Sequence, residues 1–280
     1  MEEREKQGTE ALKLVTGWTQ LKEVTLTRIA SEGDDNTLVY ISGAVAGGRQ
    51  TMGSFCFLPH DVPKASFPVG GDPGFFGCVE IGDHFGNQRL LRWVPWKGRI
   101  TSALWFNNIL VFTNRGIPFD LRSSWEKASL DLEPSYLKRK NLVVLQGRAL
   151  KGTKGTVGVL PTGYRPAKQL AFTVNSETQH AQVIVHPDGK VETFASSCVN
   201  LNLCFFVAGT RSQPLKLSGQ WTHSDSSFEA PCMYFQDGMV FLSGLIRHPS
   251  PSEWDELPVA TLKPGNLSLL PILVGPAEWN

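Results

Sequence analysis

A set of landmarks recurs in the same order along this chain, and it limits the fold more than any single motif does. From Trp125 the sequence passes Pro134 and Tyr136, then NLVVLQG ending at Gly147, then Leu160-Pro161 and Pro166. From Trp221 it passes Pro231 and Tyr234, then DGMVFLSG ending at Gly244, then Leu257-Pro258 and Pro264. A looser copy starts at Trp18, with NTLVYISG ending at Gly43, then Leu58-Pro59, Pro63 and Phe67. Further on, GCVEIGDHFGN from Gly77 matches AQVIVHPDGK from Ala181, and ALWF from Ala103 is set against LCFF from Leu203. Repetition at this scale implies units of about 100 residues. The division expected is a lead-in over 1–17, a divergent unit over 18–123, a second over 124–219 and a partial third over 220–280.

Each landmark has a physical reading. TLVYISG, LVVLQG and MVFLSG are apolar, β-branched runs, as strands buried on one or both faces are. Val183 to Val191 reads as a hairpin with Pro-Asp-Gly at its turn. The prolines of Leu160–Pro166 cannot donate to a central ladder, so that stretch is a crossover or edge segment. The 27 glycines and 18 prolines fall between short apolar runs and supply many turns. The fold class expected is all-β: tandem, jelly-roll-like β-sandwich repeats with the third copy incomplete. Only Thr9 to Val15, in the lead-in, has the look of two helical turns.

The third copy ends at LLPILV, from Leu269, and GPAEWN. An unfinished sandwich needs its edge and inner face covered from elsewhere. The sources weighed are the N-terminal segment Leu12–Ile29, another repeat, or a second subunit. KEVTLTRI, Lys22 to Ile29, alternates like a strand and has no evident counterpart in the other copies, so it is the favoured source.

The segments around Trp125, VVLQG, VGVLPTGYRPAKQLAF and AQVIVHPDGKV together resemble the C-terminal head domains of phage tail-fibre and receptor-binding proteins. In that family a Trp opens the unit, a strand ends in glycine, and an LPxGYRP stretch precedes a V-x-V-x-P-x-G hairpin. The second copy matches over Trp125 to Phe206, the third to about Val274, and the first is divergent. The resemblance implies a β-sandwich, often trimeric, that adheres to cell-surface glycans. Such heads usually stand once at the end of a stalk, whereas here the unit is in tandem. The partners implied are a glycan or protein receptor, with either a homotrimer or an intrachain pseudo-trimer.

Composition excludes several alternatives. A formal net charge of +1 gives no overall attraction to nucleic acid or anionic membranes. No apolar stretch is long enough for a transmembrane span, and MEEREKQ is not a secretory signal. Synthesis in the cytoplasm, with association to a virion, is the localisation expected. Cys56, Cys78, Cys198, Cys204 and Cys232 form no CxxC pair, and their odd number excludes complete pairing. They read as buried reduced thiols. No cofactor or metal is expected.

Chemistry-bearing residues are sparse. LRWVPWKGR, Leu91 to Arg99, offers Trp93 and Trp96 flanked by Arg92, Lys97 and Arg99, which could stack on sugar rings, or on bases with phosphates held nearby. The competing reading places one of these Trp in a core. His60-Asp61, Asp83-His84, Asp34-Asp35 and Lys138-Arg139-Lys140 read as solvated turns. KGTKG, Lys151 to Gly155, lacks the ending of a phosphate loop. The function expected is a non-enzymatic binding or adhesion module. The alternatives are a scaffold subunit of a larger assembly and a polysaccharide-degrading enzyme.

Overall fold

The computed structural model describes residues 5–31, 36–47, 53–70, 76–84, 88–95, 103–122, 124–129, 132–176, 179–209, 212–237, 239–247, 260 and 272–274. It is all-β, with no α-helix among the described residues. The first part holds β1 (Glu5–Ala11), β2 (Trp18–Ser31), β3 (Leu38–Gly47), β4 (Gly53–Leu58), β5 (Ala65–Gly70), β6 (Phe76–His84), β7 (Gln88–Pro95) and β8 (Ala103–Phe112). The middle holds β9 (Ile117–Pro118), β10 (Glu126–Lys127), β11 (Ser135–Arg139), β12 (Leu142–Gln146), β13 (Arg148–Leu150), β14 (Gly155–Val159), β15 (Leu170–Ser176), β16 (Gln179–Val185), β17 (Lys190–Thr193), β18 (Cys198–Asn200) and β19 (Phe205–Val207). The last part holds β20 (Gln213–Pro214), β21 (Thr222–His223), β22 (Cys232–Gln236), β23 (Met239–Ser243), β24 (Ile246–Arg247) and β25 (Ile272–Val274).

The first part packs an inner sheet, β1-β2-β3-β8, against an outer one, β4-β7-β6-β5. The middle part has the outer sheet β14-β17-β16-β15, in the same relative order. Its inner strands divide into β19-β12-β11-β9 and β10-β13-β18. Both outer sheets carry a register irregularity at the same place before their Leu-Pro pair, at Ser54/Cys56 and at Thr156/Gly158. The last part forms β20-β22-β23-β25 and the two-stranded β21-β24.

Three local details recur. The amide of each landmark Trp donates to the carbonyl three residues earlier: Trp18 to Val15, Trp125 to Arg122 and Trp221 to Ser218, each at 3.3 Å. The residue after each Trp pairs with the third residue after the matching glycine: Thr19 with Ala46, Glu126 with Leu150, Thr222 with Arg247. Gly43, Gly147 and Gly244 have φ of 151°, 94° and 111°, backbone that other residues rarely adopt. A Cβ at Gly147 would overlap the Glu133 carbonyl, and one at Gly244 would lie 2.6 Å from Pro231 Cα. At Gly147 and Gly244 the chain leaves one inner sheet and joins the next, which requires that turn.

Apolar side chains form two clusters. The first draws on both sheets of the first part, and also on Leu142 and Val144 of β12, Phe205 of β19, and Met239 and Phe241 of β23. The second lies inside the middle part and takes the alternate residues of β12, Val143 and Leu145. A strand covered on both faces must be apolar throughout, which explains LVVLQ. Counted back from their glycines, Leu38, Leu142 and Met239 correspond, as do Tyr40, Val144 and Phe241. All six lie in the first cluster.

Several sequence expectations are corrected. The lead-in is the edge strand β1 along β2, not helical turns; exposed Gln7–Ala11 suit a solvated edge. Lys22–Ile29 belongs to β2 and pairs with β3 in its own sheet, so it does not complete the third copy. Its counterparts are Ser135–Arg139 along β12 and Cys232–Gln236 along β23. The position beside β23 is taken by β25, which runs parallel to it, whereas β8 and β19 run antiparallel to β3 and β12. The register of β8 and β19 also sets Ile109–Phe112, rather than ALWF, in the place of Cys204–Val207. The Val183–Val191 hairpin is present, closed by Gly189 N–H donating to His186 O at 2.9 Å.

Candidate functional site

The first and middle parts meet at a cleft of about 250 Å³. One wall is the β4–β5 connection, His60 to Ala65, with Arg89 of β7. The other is Thr113–Gly116 after β8, together with Glu133, Ser135, Gln146, Gly147 and Asn202. The crossover that Pro59 and Pro63 force out of the ladder supplies the first wall. The sharp turn at Gly147 supplies part of the second.

The back of this junction is polar and buried. Asn202 accepts from Gly147 N–H at 2.9 Å and donates to the Ser66 carbonyl at 3.3 Å. Asn175 Nδ2 donates to Ser66 Oγ at 2.9 Å, and Asn200 donates to the Asn175 carbonyl at 3.2 Å. These bonds clamp the two outer sheets to each other and hold the cleft walls in register. Gln146 is 8% exposed; its Nε2 donates to Asn114 O at 3.1 Å, while its Oε1 is buried with no partner.

Asp61, Lys64, Arg89 and Glu133 on the walls are paired within the protein. Arg28 holds Asp61 through two bonds, at 2.6 and 2.9 Å. Asp83 pairs with Lys64 at 2.5 Å and also with Arg89, and Lys127 reaches Glu133 at 3.2 Å. His60 and Asp61 stand exposed at the rim, in the turn that the sequence places there.

A second polar cluster joins three hairpin ends. Arg139 Nε donates to Asp237 at 3.2 Å with both side chains almost fully buried, at 2% and 0% exposure. Lys140 Nζ reaches the other Asp237 oxygen at 2.8 Å, and Arg139 Nη1 donates to the Asn36 carbonyl at 3.3 Å. Lys140 and Asp237 occupy the same hairpin position, with φ of 49° and 52°. The reading of Lys138-Arg139-Lys140 as a solvated turn is therefore corrected at Arg139. Its place at the end of β11 aims it at the neighbouring hairpin rather than at water.

The residues singled out in LRWVPWKGR separate. Trp93 is 1% exposed in the first cluster, so its ring cannot stack on a ligand. Its neighbour Arg92 alternates to the outside and pairs with Glu80 at 2.5 Å. Trp96 and Arg99 lie outside the described residues, as do Pro258 and the Asp34-Asp35 pair. Trp125 is 5% exposed in the second cluster with Gly152 against its ring, Trp18 packs at 5.5 Å on Phe55, and Trp221 is half-buried. Pro59 and Pro161 follow β4 and β14 closely, where each outer sheet begins its crossover.

None of the five cysteines forms a disulfide, and all five are buried. Burial pushes Cys56 up to about 12 and Cys204 higher still, and desolvation together with the Glu229 carboxylate lifts Cys232 to about 11. Thiols held this protonated are poor nucleophiles. Among the described residues no three His, Cys, Asp or Glu gather as metal ligands, and no helix is long and apolar enough to cross a membrane.

Sequence reasoning missed Ser66, Gln146, Asn175 and Asn202. Their signal is a polar residue inside an otherwise apolar strand run, as in VVLQG and VNLNLCFF, a local conflict that marks special sites. The chain matches no family model, no curated protein and no solved structure.

Proposed function

We propose that this chain is a non-enzymatic binding module of the receptor-binding-head type, recognising a cell-surface glycan or a protein receptor. In this reading its tandem β-sandwich units gather as an intrachain pseudo-trimer, made in the cytoplasm and carried on a virion. The observation that carries the proposal is the shared core: Leu38, Leu142 and Met239, and likewise Tyr40, Val144 and Phe241, meet in one cluster. The matched Trp turns, Trp–Gly registers and glycine conformations support it. A polar cleft suits binding, and thiols held protonated at Cys56, Cys204 and Cys232 do not suit nucleophilic catalysis.

The test is glycan-array binding by the full chain, with light scattering on the same sample. Selective binding by a species of single-chain mass is expected. A species of three times that mass would overturn the intrachain arrangement. Absence of binding to glycans and to receptor proteins of host cells would overturn the binding role. Sugar release from bound oligosaccharides above buffer background would overturn its non-enzymatic character. A second reading, a scaffold subunit, is favoured by Phe235, which is 46% exposed on β22. A chain soluble only beside a partner would decide for it.

A further inference from the structure

We infer that the cleft between the first and middle parts is a binding site for one neutral, polyhydroxylated ring, the size of a single sugar unit. The inference rests on the glycan-binding reading and places it away from Trp93. Three observations carry it. The cleft, at about 250 Å³, falls just below the ~300–1,000 Å³ of sites for drug-sized ligands, so it admits one small unit rather than an oligomer. Its charged walls are spoken for: Asp61 by Arg28, Lys64 and Arg89 by Asp83, and Glu133 by Lys127, while Arg115, the fifth charged lining residue, is also engaged within the protein. A charged ligand would have to break one of these pairs, whereas a neutral one leaves them intact. Finally, Gln146 Oε1 is a buried acceptor without a donor, in a side chain fixed by its bond to Asn114 O. An unmet buried acceptor is unfavourable, and a ligand hydroxyl supplies the missing donor.

The junction between the middle and last parts serves as an internal comparison. There Glu229 N–H donates to the Gln169 carbonyl at 3.0 Å, and Gln169 bridges Phe228, so the backbones join directly. Gln169 precedes β15 as Lys64 precedes β5. In the first junction Lys64 and Glu133 instead stand on the walls of the cleft. The Ser66–Asn175–Asn202 clamp keeps those walls apart at a fixed distance, so the site is preorganised.

Saturation-transfer NMR and titration on the full chain would use D-glucose, D-galactose and N-acetyl-D-glucosamine, with D-glucuronate and D-glucosamine as charged probes. At least one neutral sugar should bind with millimolar Kd. Gln146→Leu and the rim-blocking His60→Trp should each weaken it at least tenfold. Because His60 is exposed, its variant decides the matter if Gln146→Leu fails to fold. No binding of any neutral sugar, unchanged binding in His60→Trp, or tenfold preference for a charged probe would overturn the inference. Array binding that persists in His60→Trp would leave the glycan-binding role standing without this site. Free-sugar binding lost in His60→Trp, with no array signal from the unaltered chain, would keep the site and remove the cell-surface role.

Discussion

Trp125 and Trp221 share a backbone turn and a strand register but not an environment, and replacing each by Ala separates the two contributions. A buried Trp removes roughly 150–250 Å² from water, worth about 4–6 kcal/mol at ~25 cal/mol per Å². Trp125 is 5% exposed, so it realises nearly all of that, but its Nε1 has no hydrogen-bond partner. Losing this unpaired N–H offsets about 1–3 kcal/mol of the penalty. The expected cost of Trp125→Ala is about 3–4 kcal/mol, within the range for large core truncations. Half-buried Trp221 should cost about 2–3 kcal/mol. The assay is urea unfolding followed by far- and near-ultraviolet circular dichroism, fitted with separate transitions because the chain has two apolar clusters. Only the transition of the second cluster should move in Trp125→Ala. A cost below about 1 kcal/mol for Trp125→Ala, or equal costs for the two variants, would refute the assignment of burial.

Three further outcomes are expected. Asp237→Ala strands Arg139 in the interior and should cost about 3–5 kcal/mol in urea melts; a variant as stable as the unaltered chain would deny the burial of the pair. Gly147→Ala forces a Cβ onto the Glu133 carbonyl at φ of 94° and should cost at least about 1–3 kcal/mol, read as a lower unfolding midpoint. Cys56 is raised from 9.0 to about 12 in the folded state, so its contribution is complete below pH 9 and falls as pH rises from there towards 12. Melts between pH 8 and 11 should show that decline, and Cys56→Ser should make it shallower without abolishing it, because Cys204 and Cys232 are raised as well.

Much of the framework was legible because the landmarks act locally. A Trp that closes a turn, a glycine that permits positive φ and a proline that ends a ladder each declare themselves within a few residues. The outer hairpins were readable from alternation and Pro-Asp-Gly. Alternation also held the correct answer for LRWVP: Leu91 and Trp93 point inward and Arg92 outward, so Trp93 belonged to the core. The misreadings concern long-range partners. Lys22–Ile29 looked unmatched because its counterparts, SYLKR and CMYFQ, share a register but not a composition. Arg139 looked solvated because its partner, Asp237, lies 98 positions away. The cleft is assembled from segments spread between His60 and Asn202, and no local pattern ties them together.

The three hairpin ends that meet at Arg139 carry a consequence for how such a molecule can change. In an assembly of identical subunits, whatever stands at a turn where the subunits meet appears as many times as there are subunits, and like charges crowd together there. Lys140 and Asp237 hold corresponding turns yet bear opposite charges and bind each other, with the Asn36 carbonyl accepting from Arg139 beside them. Covalent continuity frees each hairpin to specialise, so one turn can become the counter-ion of another. It also makes the arrangement indifferent to dilution, since no hairpin can diffuse away from its partner.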